Sequence, residues 1–176
     1  ALNMPIIIGI IGLVTAAFFL IMRARRGAEV ASDMMDVGRD VASAARRFGF
    51  RRRYNQHPVD SVEEPNLAIA ALATAFIALD DLPTADDRKR LDVALRKHLD
   101  LDASGAQEIE VLGQWLVSEC SGAEPAVPRL AKRLNKLDSG ASFGTLMEVI
   151  QTAARTPLSQ RQTSALQDIK TAFRLQ

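Results

Sequence analysis

The sequence predicts an all-α protein: a single N-terminal transmembrane helix followed by a cytoplasmic bundle of about six short helices. Three observations predict it. Residues 4–22, MPIIIGIIGLVTAAFFLIM, run for 19 positions without a charge. From residue 61 onward, apolar side chains recur at steps of three and four between capping residues and Pro or Gly stops. No stretch alternates β-branched and polar residues with period two, so no strand is expected.

At ~1.5 Å per residue the apolar run makes a helix of roughly 28 Å, which matches the ~30 Å hydrocarbon core of a bilayer. In lipid every backbone N–H and C=O must be satisfied within the segment, so the run must be helical. Ala1-Leu2-Asn3 carries no side-chain charge, and no Ala-x-Ala site precedes the basic cluster Arg23, Arg25 and Arg26. These features predict an uncleaved anchor and not a secretory signal. Arginines on one flank only place the C-terminal side in the cytoplasm of a bacterial inner membrane, with the N-terminus periplasmic. Gly9, Gly12 and Ala16 share one face of this helix, the pattern that lets helix backbones approach in lipid. They are the candidate packing surface for a membrane partner.

Residues 23–60 read as a basic juxtamembrane helix and linker. Val30, Met34, Val37, Val41, Ala44 and Phe48 form a narrow stripe at steps of four and three. The stripe fits either a continuation of the membrane helix or a surface-lying amphipathic helix. Gly27 is a candidate bend. Residues 49–60 follow as a linker containing Arg51, Arg52 and Arg53. This triplet suits anionic lipid headgroups, at about 1 kcal/mol per charge, or a solvated basic loop.

Residues 61–176 are the helical domain. Ser61 with Glu64 has capping-box spacing, and the first helix carries Leu67, Ile69, Leu72, Phe76 and Leu79 to Asp80-Asp81. Thr84 and Asp87 open the second, with Leu91, Leu95 and Leu99 inward. Ser104 and Gln107 open the third, which carries Ile109, Leu112, Trp115 and Leu116 and stops at Ser121-Gly122. Pro125 and Pro128 mark the first turn of the fourth, with Val127, Leu130, Leu134 and Leu137 inward and a stop at Asp138-Ser139-Gly140. Ser142 caps the fifth, whose inward face is Phe143, Leu146, Met147 and Ile150. Ser159 and Gln162 cap the sixth, with Leu166, Ile169 and Phe173 inward. Short loops favour antiparallel neighbours. Leu82-Pro83-Thr84 is echoed by Pro157-Leu158-Ser159, and a Leu follows each cap by seven residues, which suggests two copies of one helical hairpin.

Charge narrows the functional classes. Residues 1–53 hold nine Arg against four acids, while residues 54–176 hold 13 basic and 17 acidic side chains. The basic surplus therefore lies where headgroups would be, and the helical domain offers none for nucleic acid. The lone Cys120 fits a reducing compartment and a buried apolar role. His98 lacks a second His or Cys for zinc. Asp80, Asp81, Asp86 and Asp87 are a candidate hard-cation cluster, but they read more simply as a helix end and a helix start, where the dipole favours acids. His57-Pro58-Val59-Asp60 has the wrong spacing for the His-Pro-Asp of J-domains. No catalytic residue, metal site, cofactor or small-molecule substrate is assigned.

The segment Ala-Leu-Asp-Asp-Leu-Pro-Thr-Ala-Asp-Asp-Arg at 78–88 resembles the tellurite-resistance TerB-like domain, with Pro157-Leu158-Ser159 as a degenerate second copy. The resemblance covers residues 62–176 and implies an all-helical module, one that also occurs in membrane-anchored co-chaperones. Asp81 replaces the family's Gly, and Arg155-Thr156 stands where an acidic residue would sit, so no metal ligand is carried over. The expected function is a non-catalytic, single-pass inner-membrane accessory subunit that stabilises or bridges an integral membrane protein complex, with the respiratory chain as the class of host. The alternative is a membrane-anchored stress-response or co-chaperone-like adaptor that recruits cytoplasmic partners.

Overall fold

The computed structural model describes residues 39–53 and 55–174, and from Asp40 onward these form one compact unit. The apolar run 4–22, the packing residues Gly9, Gly12 and Ala16, and the flanking Arg23, Arg25 and Arg26 lie outside the described residues. Among the described residues no helix is long and apolar enough to cross a membrane.

The described chain is all-helical, as the apolar periodicity requires. Six helices follow one another: α1 (Pro65–Ile77), α2 (Ala85–His98), α3 (Ala103–Glu119), α4 (Ala123–Asp138), α5 (Phe143–Ala153) and α6 (Gln160–Ala172). A helical stretch over 40–47 and a 3-10 turn, Pro58–Ser61, precede them.

α1 is the centre. Every residue from Leu67 to Phe76 is buried, because the segment LAIAALATAF is apolar on all sides, and such a helix has no face to give to solvent. Its one polar side chain in that run, Thr74, donates to the Ala70 carbonyl at 2.8 Å and so is satisfied within the helix. α3 and α4 are its main packing partners, while α2 lies on α5 and α6 on α4. The expectation that sequence neighbours pack together fails here: the apolar girdle of α1 recruits partners from all around it, and short loops do not decide the pairing.

At Gly113, α3 approaches the backbone of α1 closely. A Cβ built on Gly113 would lie 3.1 Å from the Ala71 Cα and 3.2 Å from the Ala71 nitrogen. Those are backbone atoms of the central helix, which cannot rotate away. Gly113→Val is therefore expected to destabilise the protein by about 1–3 kcal/mol through overpacking, measured as a lowered denaturation midpoint at unchanged m-value.

Several element starts differ from the sequence expectation. Glu64, not Ser61, caps α1, accepting from the Asn66 N–H at 3.5 Å; Ser61 belongs to the preceding 3-10 turn, and its hydroxyl accepts from the Arg53 N–H. Asp102, not Ser104, caps α3, its carboxylate accepting from the Gly105 N–H at 2.6 Å. A charged acceptor two residues earlier outcompetes the serine. α4 begins at Ala123, so Pro125 lies in its first turn but Pro128 lies inside the helix. Ser142 precedes α5 without capping it; its hydroxyl donates to Asp138, whose carboxylate also accepts from the Ser142 and Gly140 N–H groups. The stop at 138–140 is a left-handed Ser139, φ 57°, followed by Gly140, φ 93°.

Residues 49–60 are not a free linker. Pro58 and Val59 are buried, and His57 holds the segment in two directions. Its Nδ1 accepts from the Val59 N–H at 3.2 Å, which leaves Nε2–H to donate to the Glu119 carbonyl at 3.1 Å. Arg133 on α4 donates to the Val62 carbonyl at 2.7 Å through Nε, and again through its terminal nitrogen. Upstream, Val41, Ala44 and Phe48 pack on the core, the described half of the predicted stripe, and Phe50 meets Trp115 edge-on at 5.7 Å. Arg47 reaches Asp102 at 2.8 Å.

Candidate functional site

The two segments that echo each other in sequence meet in space. Thr84 and Ser159 are both N-caps with complete capping boxes, closed by Asp87 and Gln162 respectively. The two helix starts then each serve the other hairpin. α6 donates from Arg161 to the Leu79 carbonyl at 3.1 Å and from Gln162 to the Phe76 carbonyl at 3.5 Å, satisfying groups at the C-terminal end of α1. α2 donates from Arg90 to the Ala153 carbonyl at 3.3 Å, at the C-terminal end of α5. Each hairpin thus caps its counterpart.

Asp87 is the hub. It is buried, and both of its oxygens are occupied. One accepts from Arg155 Nε at 2.7 Å and from Arg90. The other accepts from the Thr84 N–H at 2.8 Å, the Thr84 hydroxyl at 2.7 Å and the second arm of Arg155. The Arg155 guanidinium, helped by the Thr84 bonds, holds the Asp87 carboxyl far below the usual carboxylate range, against the opposing effect of burial. The fork of one arginine on one carboxylate is the strong bidentate form of an ion pair.

Beside this hub is a cleft of about 460 Å³ between the two turns, bordered by Asp80, Asp81, Leu82, Pro157 and Leu158. Leu82 is 91% exposed and Leu158 is 37% exposed. Among the described residues only one other large apolar side chain, Val93, is exposed. Two of three therefore border one cleft, Leu82 two residues before the cap Thr84 and Leu158 one residue before the cap Ser159. Asp80 and Asp81, both exposed, line it, and Asp86 is exposed at the start of α2. The arrangement offers two apolar contacts in an acidic frame.

The four Asp side chains considered for a cation divide accordingly. Asp87 spends its lone pairs on arginine and threonine, Asp86 opens α2, and Asp80 and Asp81 lie in the turn past the end of α1. Among the described residues no three His, Cys, Asp or Glu side chains gather as a metal set. The cation in this acidic turn is the Arg155 guanidinium. His98 ends α2, with Nε2 at 2.9 Å from the Thr152 hydroxyl and Nδ1 at 3.3 Å from Glu148. Cys120 is buried, and that burial pushes its thiol up, away from a nucleophile.

Arg51, Arg52 and Arg53 are exposed. Arg52 lies 3.8 Å from Glu119, and Arg53 pairs with Glu63. The hub arginines Arg90 and Arg155, and Arg161 on the Leu79 carbonyl, were not legible as site residues; the signal present was only that Arg155 stands in the second turn where the first carries acids.

No family model matches this chain, and no curated protein or solved structure matches it either. What the geometry defines is an all-helical unit built on two mutually capping hairpins.

Proposed function

We propose that this chain is a non-catalytic, membrane-anchored accessory subunit that docks on a larger integral membrane complex, with a respiratory-chain assembly as the class of host. Residues 4–22 cross a bacterial inner membrane, Arg23, Arg25 and Arg26 hold the remainder in the cytoplasm, and Gly9, Gly12 and Ala16 face a partner helix. The observation that carries docking is the pair Leu82 and Leu158 on the rim of one acidic cleft. Apolar side chains grouped in a polar frame suit a protein partner, one that presents an apolar anchor flanked by basic residues.

A second reading, a membrane-anchored adaptor of the tellurite-resistance or co-chaperone type, draws on the turns at 78–88 and 157–159 that carry the resemblance. It shares the anchor and the cleft and differs in the partner, which would be soluble.

Alkaline carbonate washing should leave the full chain in the membrane fraction, and mild detergent followed by native sizing should find it within a large assembly. Leu82→Asp with Leu158→Asp should release it from that assembly without moving its melting temperature. Loss from the membrane on carbonate washing would overturn the anchor. A parent chain that sizes as a free monomer, or a doubly substituted chain that stays in the assembly, would overturn docking through this cleft.

A further inference from the structure

We propose that a basic groove between residues 53–60 and α4 binds the phosphate of anionic phospholipid headgroups. The proposal rests on the membrane-anchored reading above for its choice of ligand. The groove has a volume of about 790 Å³ and takes its charge from Arg53, Arg129, Lys132, Arg133 and Lys136. On α4 these four sit at i, i+3, i+4 and i+7, which is one helical face, opposite the buried stripe Val127, Leu130 and Leu134.

Few acids answer this charge. Asp60 lies 3.7 Å from Arg129, a long and exposed pair, and Glu63 pairs with Arg53. Arg133 is committed to the Val62 carbonyl, a neutral acceptor that leaves its charge uncompensated. Lys132 and Lys136 are exposed, with no hydrogen-bond or ion-pair partner among the described residues. Cations held on both walls of a groove concentrate positive potential in it. Arg133 also fixes the two walls together, so the site is preorganised.

Phosphate is the anion this donor set fits: guanidinium forks and ammonium donors are its usual partners. Lipid is the favoured source because the wall residue Arg53 ends the Arg51-Arg52-Arg53 run, 31 residues beyond the apolar segment that would hold the chain at a bilayer. Nucleic acid is disfavoured, since residues 54–176 carry more acids than bases overall.

The test is lysine footprinting of the full chain in neutral-detergent micelles, with an amine-reactive reagent read by mass spectrometry. Micelles doped with phosphatidylglycerol should slow modification of Lys132 and Lys136 about tenfold relative to micelles doped with phosphatidylcholine. Lys89 and Lys97, exposed on α2, should change less than twofold. Arg129→Ala should remove most of the protection at Lys136 while leaving the melting temperature in place. Equal rates in the two lipids would overturn the proposal, as would equal protection of Lys89 and Lys97. Inorganic phosphate or a single-stranded oligonucleotide protecting as well as the lipid would overturn the lipid assignment. Carbonate washing tests the anchor separately: a chain that is stripped from membranes yet shows this footprint overturns the anchor and supports the groove.

Discussion

Phe76→Ala is expected to lower the stability of the protein by about 3–5 kcal/mol, a melting shift on the order of 10 °C or more. Phe76 is fully buried on α1, the helix that all other packing surrounds. Deleting a buried ring forfeits its transfer free energy and leaves a cavity, and the total depends on how far the neighbours can move in. Here they cannot move far. α1 is rich in buried alanine, at positions 68, 70, 71, 73 and 75, so the helices around it already stand close. At Gly113 the approach is at its limit. Leu82→Ala is the control: at 91% exposure it should change stability by less than about 0.5 kcal/mol. Equal effects at the two positions would mean that α1 is not the core.

The apolar positions Leu67, Ile69, Leu72 and Phe76 of α1 were legible as a stripe. Its burial on all sides was not read, although ten residues from Leu67 to Phe76 carry no charge. The six-helix count was legible too, from capping residues and apolar steps of three and four. Thr84 with Asp87 and Ser159 with Gln162 form the capping boxes their spacing predicts. Where a cap was misplaced, a second acceptor stood within a few residues. Ser104 has the right spacing to Gln107, yet Asp102 binds the Gly105 N–H, because a carboxylate is the stronger acceptor for a helix-start amide. Spacing alone does not rank two competing caps.

What pattern reading missed was tertiary. Residues 49–60 look like a linker because they are short, basic and lack a periodic stripe. Among their described residues only Pro58 and Val59 are buried. The segment is held by a few contacts in and beside it, His57 to the Glu119 carbonyl and Arg133 to the Val62 carbonyl, made to residues about 60 to 70 positions away. Local periodicity carries no information about such pairs. The groove on α4 had a signal, the spacing of Arg129, Lys132, Arg133 and Lys136, but the net acidity of the surrounding chain hid it. A domain-wide charge sum averages away a single charged face.

The acidic turn offers the second large effect, and it is a pH effect. Asp87→Asn is expected to cost about 2–4 kcal/mol at neutral pH, combining a lost charged acceptor for arginine with a weakened helix start. Arg155→Ala should cost less, because Arg90 and Thr84 still hold the carboxylate. The two changes together should cost less than their sum, since both remove the same ion pair. The parent should also lose stability in acid in a way that Asp87→Asn does not. The Asp87 carboxyl is held well below its ordinary value near 3.8 by Arg155 and the Thr84 bonds. Between the folded and unfolded values the unfolded chain binds the proton and the folded chain does not, so the contribution rises with pH there. It is fully present above about pH 5 and falls away progressively below pH 4. Denaturation midpoints measured from pH 7 down to pH 2.5 should therefore show a constant gap between parent and Asp87→Asn above pH 5, narrowing steadily in acid. A gap that stays constant down to pH 2.5, or a cost for Arg155→Ala equal to that for Asp87→Asn, would mean that Asp87 is not the hub of the two hairpins.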